Sequence, residues 1–287
     1  MDAQSAPLGQ QGSVRDFRKD HLAILLDVRR THSRAAEEVA PRTGLGWMNS
    51  LRLGAEHHPP GIEGCGSKPN REALFRMVAD EQQDTMALCA TILAWGGMHV
   101  RHGRELFRAG SKWRKTAETV RFENLSRAEA YALFHRLRAE GDLPGLGPAY
   151  FTKLVFFLRG SAVTDLGYIM DQWTGCSVTL LTGDPHMVLM NAIYVWDGPT
   201  KLRSAFQVSD ANDANRYERF CSVIDSIADV VDLHPIDAEL LLMSQGRGRG
   251  AWRRHVLAHR QAPSIALGQQ IAMPQSDAED VRTETDS

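Results

Sequence analysis

A mostly α-helical fold follows from three features of the sequence. Apolar residues recur at helical spacing, as in Leu74, Phe75, Met77 and Val78, then Met86, Leu88, Ile92, Leu93 and Trp95. Helix start signals stand where such patterns begin, most plainly Ser126 with Glu129 three residues later. Glycine and proline clusters then cut the patterns into lengths usual for helices of globular domains. With 287 residues and 43% hydrophobic content, the chain can bury one large core or two modest ones.

Taken in order, residues 1–13 are small and polar without periodicity and are expected to be disordered. Residues 14–39 place Phe17, Leu22, Leu25, Leu26 and Val28 among charges, which predicts one amphipathic helix ended by Pro41. Residues 44–70 hold six glycines and three prolines and read as a long loop, of the kind that is disordered or covers a site. Residues 71–110 predict two core helices broken by Gly96 and Gly97. A helix over 126–141 and a second from Pro148 to Leu158 flank the turn Leu143-Pro144-Gly145-Leu146-Gly147, giving a helix-hairpin-helix at 126–158. Beyond it come a segment over 161–181, a turn at Gly183, Asp184 and Pro185, and an apolar run over 187–196 that suits a buried helix or strand. Helices over 214–232, 237–243 and 252–259 complete a helical domain of 14–260, in one body or two subdomains. Residues 261–287 are expected to form a disordered acidic tail.

Composition narrows the function classes. No apolar run of about 18 residues exists, and residues 1–12 lack a basic start followed by an apolar block, so a cytoplasmic protein without membrane contact is expected. Cys65, Cys89, Cys176 and Cys221 are too scattered for a zinc or iron–sulfur site and are read as reduced thiols. His99 with His102, and His255 with His259, lack a nearby third ligand, so no metal site is expected. The net charge of −2 hides an uneven distribution. Between Arg101 and Arg159 twelve Lys or Arg face six acids; from Ser244 to Arg260 there are five arginines and no acid. A basic middle with an acidic end suits a nucleic-acid partner.

Several residues stand out chemically. The glycines of the hairpin permit a sharp turn that leaves amides uncovered, and with the N-terminus of the next helix such amides grip a phosphate without reading a base. Lys153 lies in a helix apolar on nearly every face, Tyr150 to Leu158. A buried amine is driven toward its uncharged form and becomes a nucleophile able to form a Schiff base; the alternative is that Lys153 and Thr152 make a narrow solvent stripe. Asp171, after the apolar Tyr168-Ile169-Met170, is placed to return beside the start of that helix, and equally to cap a helix from Gln172. Trp173, Trp95 and Trp252 suit either base stacking or core packing. Arg247 and Arg249, between glycines, suit a phosphate contact or a solvated loop.

The turn Leu143-Pro144-Gly145-Leu146-Gly147, a following helix that bears a lysine, and an aspartate after an apolar run resemble the helix-hairpin-helix DNA glycosylase superfamily, nearest its 8-oxoguanine DNA glycosylase (OGG)-like bacterial branch. The resemblance covers residues 125–181. It implies a glycosylase-like helical bundle that acts on double-stranded DNA, as a monomer, without a cofactor other than a monovalent cation at the hairpin. It implies that Gly145, Leu146, Gly147 and Ala149 contact DNA phosphates, that Lys153 attacks C1′ and that Asp171 assists, with strand cleavage by β-elimination. Trp173, Arg247 and Arg249 join the DNA-contacting set, and Trp95 and Trp252 the base pocket. One departure is informative: Ala149 stands where the family's lysine usually lies, and Lys153 comes one helical turn later on the same face. An oxidised purine such as 8-oxoguanine is the expected substrate. The alternatives are a bulky hypermodified base of phage DNA and, in another class, a non-catalytic DNA-binding protein.

Overall fold

The structure, a computed structural model, describes residues 16–31, 40–160, 165–196, 202–243 and 250–260. Helix α1 (Lys19–Thr31) is followed by α2 (Gly44–Ser50), two single 3₁₀ turns at Ala55–His57 and Ile62–Cys65, α3 (Arg71–Ala79), α4 (Thr85–Trp95), α5 (Val100–Arg108) and α6 (Lys112–Phe122). Then come α7 (Arg127–Ala139), α8 (Pro148–Leu158) and α9 (Gln172–Thr182), a two-stranded ribbon of β1 (Met190–Trp196) and β2 (Leu202–Val208), and α10 (Ala214–Val231), α11 (Pro235–Leu242) and α12 (Ala251–His259). The fold is mostly helical, as the spacing predicts.

Two helices form its centre. Every residue of α4 is buried, and α8 is buried from Phe151 through Leu158. Helices that are apolar on all sides belong in a core, and α4 and α8 pack on each other there. Asp84 starts α4 by accepting the amides of Met86 and Ala87, and Ser126 with Glu129 closes the capping box that starts α7.

The described structure corrects the sequence reading in two places. Residues 44–70 are ordered and not one loop: α2 begins where Thr43 accepts the Gly46 amide, and Trp47, Met48, Leu51, Ile62 and Cys65 are buried. Gly44 serves close packing there, since a Cβ on it would lie 2.4 Å from Thr91 Oγ1 of α4. Residues 71–110 form three helices, the third started by His99, whose Nδ1 accepts the Arg101 amide. Elsewhere it decides between readings left open: Asp171 caps α9 at Gln172, after non-helical residues 166–170. The run 187–196, read as a buried helix or strand, contains strand β1, paired antiparallel to β2 from Met190 opposite Val208 to Trp196 opposite Leu202. The expectations for residues 1–13 and 261–287 fall outside the described residues, as do Arg247 and Arg249.

The segment before α9 is tied to α7 and α10 by one buried cation. Arg127 bonds Glu218, Asp225 and the carbonyl of Leu166, and its amide donates to Asp165. Burial works against the guanidinium, but its bonds to Glu218 and Asp225 outweigh burial and hold it charged. Glu218 and Asp225 are about two-fifths exposed, so the network is worth less than a fully buried one. Arg127→Met is expected to cost about 2 kcal/mol, read as a lower urea midpoint at unchanged slope.

Helices α1 and α12 meet through histidines. His21 Nδ1 lies 3.0 Å from His255 Nε2, and the rings of His255 and His259 are 4.2 Å apart. Burial holds both His21 and His255 below the ordinary histidine range, so the fold favours their neutral forms. Stability from this contact is therefore complete above the ordinary range and is lost as pH falls below it. Amide protection factors in α12, which divide out the intrinsic pH dependence of exchange, are expected to fall at pH 5 relative to pH 7.5 while those in α4 stay high.

Candidate active site

The hairpin turns as its glycines dictate. Gly145 adopts a left-handed φ of 70°, and a Cβ on it would meet His102 Cβ at 2.7 Å, so the turn is seated against α5. Leu146 is fully buried and anchors the loop, and Gly147 caps α8 with Pro148 at the first helical position. Leu146 N–H returns to Leu143 O, and the amides of Tyr150 and Phe151 return to Gly147 O. The amides of Gly145, Gly147 and Ala149 meet no backbone carbonyl among the described residues. Leu143 O accepts from both Leu146 N–H and Arg138 Nη1.

Lys153 is 6% exposed in the middle of α8. Side chains of a helix lean toward its N-terminus, and Lys153 follows that rule: its Nζ donates to the carbonyl of Ala149, one turn back. The amine also lies 5.2 Å from the ring centre of Tyr150. Its methylene stem rests in the space that Gly96 leaves by lacking a side chain, since a Cβ there would stand 2.7 Å from Lys153 Cδ. Burial pushes the amine below the ordinary lysine range; Asp171 and Glu239 oppose that shift and Arg71 adds to it.

Asp171 is set by α9 and by Thr152. Its Oδ1 accepts the amides of Trp173 (2.7 Å) and Thr174 (3.1 Å), and Thr174 Oγ1 completes the capping box. Thr152, next to Lys153 in sequence, donates its hydroxyl to Pro148 O and accepts the amide of Met170 at 3.1 Å. Tyr217 donates its hydroxyl to Tyr168 O, and Thr174 donates to Ile169 O. The strand of chain that delivers Asp171 is thus fixed to α8, α9 and α10.

The structure sets Asp171 within electrostatic reach of Lys153, with the hairpin at the start of the same helix and Trp95 next to the Gly96 that borders the lysine stem. Trp95 is 7% exposed and packs edge-on against Phe157. Trp252 is fully buried, donates its indole N–H to Ser177 Oγ, and serves as core. Trp173 is half-buried, and Arg253 covers one face of its ring at 3.6 Å. A cavity of about 300 Å³ opens on another face of α9, lined by Arg18, His21, Cys176, Val188, Phe206 and Arg260, and includes neither Lys153 nor Asp171. Sequence reasoning missed Arg71, Glu239, Gly96 and the bridging role of Thr152. A signal existed for Glu239 alone, as an acid followed by Leu240, Leu241 and Leu242.

The model of a protein family described as "Putative 8-oxoguanine DNA glycosylase OGG-like protein" matches residues 37–243, well over half of the chain. No curated protein and no solved structure gives a match. The matched span contains the hairpin, Lys153, Asp171, Arg71 and Glu239, and stops short of α12.

Replacement of Thr152 by valine keeps the volume and removes the bridge. The Met170 amide would then be buried without an acceptor, at a cost of about 1–3 kcal/mol. A lower melting temperature, with faster exchange at Met170 than at Leu154, is the expected result for Thr152→Val.

Proposed function

The chain belongs to the OGG-like family of putative 8-oxoguanine DNA glycosylases, and from that premise we propose that it removes an oxidised purine such as 8-oxoguanine from double-stranded DNA, with Lys153 as nucleophile. The observation that carries this reading is the Lys153 amine: enclosed, turned back to Ala149 and under the field of Asp171. A fully hydrated phosphate-binding lysine would have no reason for such burial, which favours an uncharged amine.

In this mechanism the target nucleotide leaves the stack, at a cost of a few kcal/mol, while the hairpin amides hold a neighbouring phosphate. The lone pair of Lys153 Nζ attacks C1′ as the bond from C1′ to the base breaks. The base leaves with that electron pair and takes up a proton. Asp171 Oδ1 is committed to the start of α9, so its carboxylate is fixed in orientation and stabilises the positive charge that develops on the sugar. The nitrogen then loses a proton and the sugar ring opens to a Schiff base. Loss of a C2′ proton expels the 3′ phosphate, which cleaves the strand. Ala149 contributes its carbonyl to this scheme, and Lys153 contributes the amine.

Borohydride trapping tests it. A duplex with 8-oxoguanine is expected to give a covalent adduct with the native protein and none with Lys153→Ala. Asp171→Asn keeps a helix-capping side chain and should lower single-turnover excision by about 100-fold or more. No adduct on any duplex of a panel that includes bulky modified bases would refute the Schiff-base step.

A further inference from the structure

Beside Lys153 the fold encloses two charged side chains that the mechanism above does not use. Glu239 of α11 is fully buried. Its Oε2 accepts from Arg71 Nη1, and its Oε1 meets no donor among the described residues. Arg71, at the start of α3, is held on its other sides. Its Nη2 lies 2.9 Å from Met243 Sδ, and its guanidinium carbon lies 5.5 Å and 5.3 Å from the ring centres of Trp95 and Phe156. Trp95 adjoins Gly96, against which the Lys153 stem rests. Helices α3, α4, α8 and α11 thus converge on one largely buried region holding an arginine, a glutamate and the lysine.

Ion pairs buried in this way are weak sources of stability, and a carboxylate oxygen left without a donor is costly. A role for the pair in the chemistry of its neighbour accounts for both. The charged groups that act on the Lys153 amine are Asp171 of α9, Glu239 of α11 and Arg71 of α3; α4 presents Trp95 and Gly96 to it, and its own helix presents Tyr150. Asp171 has its Oδ1 engaged by two amides of α9. Glu239 is the second anion of that set, fully buried and held by Arg71.

We propose that Arg71 is a positioning residue that occupies Glu239 so that Lys153 is not fixed as its ammonium partner, leaving the amine uncharged for attack. This rests on the reading of Lys153 as the nucleophile. Arg71 remains charged under all working conditions, so the arginine wins the carboxylate and the net charge of the three groups is zero with Lys153 neutral. Burial, which holds Lys153 low, favours the same distribution, while the burial that raises Glu239 is opposed by its bond to Arg71.

The test combines a pH profile with a direct titration. The chain has six lysines, so in protein labelled with ¹³C at lysine Cε the Lys153 signal can be assigned by its loss in Lys153→Ala. In Arg71→Met the freed Glu239 should recruit Lys153. The amine should then titrate about one pH unit or more above its position in the native protein, and the acidic limb of single-turnover excision should move up with it. Arg71→Lys, which retains a cation, should keep Lys153 close to its native titration, and Glu239→Gln should move the limb down or leave it in place. Arg71→Met with Glu239→Gln should return Lys153 to or below its native position. Should Arg71→Met fail to fold, Arg71→Lys and Glu239→Gln carry the test, the expected result being no upward shift in either. A Lys153 titration unchanged in folded Arg71→Met, or raised in Glu239→Gln, would overturn the proposal. A shifted titration without any borohydride adduct would support the charge competition while refuting the Schiff-base chemistry.

Discussion

The hydrogen bond from the Met170 amide to Thr152 Oγ1 joins the two halves of the candidate site. The same hydroxyl donates to Pro148 O, so one buried atom closes the first turn of α8 and fixes the chain that leads to Asp171. A buried amide must find an acceptor, and Thr152 of α8 provides it. Around that point the structure adds redundancy. Tyr217 holds Tyr168, Thr174 holds Ile169, and Arg127 holds Leu166. The result is an aspartate on an extended segment that is as firmly placed as one on a helix, the condition for electrostatic work at a fixed distance.

What could be read from the sequence was what local rules govern. Ser126 with Glu129, Pro148 after Gly147, and Asp171 before Gln172 each announce a helix start through groups within four residues of one another, and each is found as read. Where glycine serves a partner distant in sequence, those rules mislead. Gly44 admits α4 and Gly145 admits α5, yet Gly145 alone belongs to a motif that sets it apart from an ordinary loop glycine. Arg71 and Glu239 are 168 residues apart and belong to helices whose patterns give no hint of pairing. Of the ribbon, β1 is one of two readings open for its run, whereas β2 goes unread because its pairing partner lies outside its own short segment.

The displaced lysine shows how a shift in sequence need not be a shift in space. Four residues along a helix move an α-carbon by about 6 Å along the axis. A lysine side chain, leaning toward the N-terminus, covers that distance, and the contact of Nζ with Ala149 O records it. A chain with its lysine at 149 would send the amine out past the turn, whereas from 153 it stays under cover of α4. The departure from the family pattern therefore changes the burial of the amine more than its address, and burial is what governs its charge.

Gly96 carries a last implication. Because the stem of Lys153 lies in the notch that glycine leaves, the freedom of four rotatable bonds is surrendered while the protein folds. DNA association then has none of that ordering to supply, and the reach of the amine is as invariant as the backbone of α4. Affinity for DNA and placement of the Lys153 amine become independent properties. Substitutions on the DNA-facing surface are free to tune the one without disturbing the other.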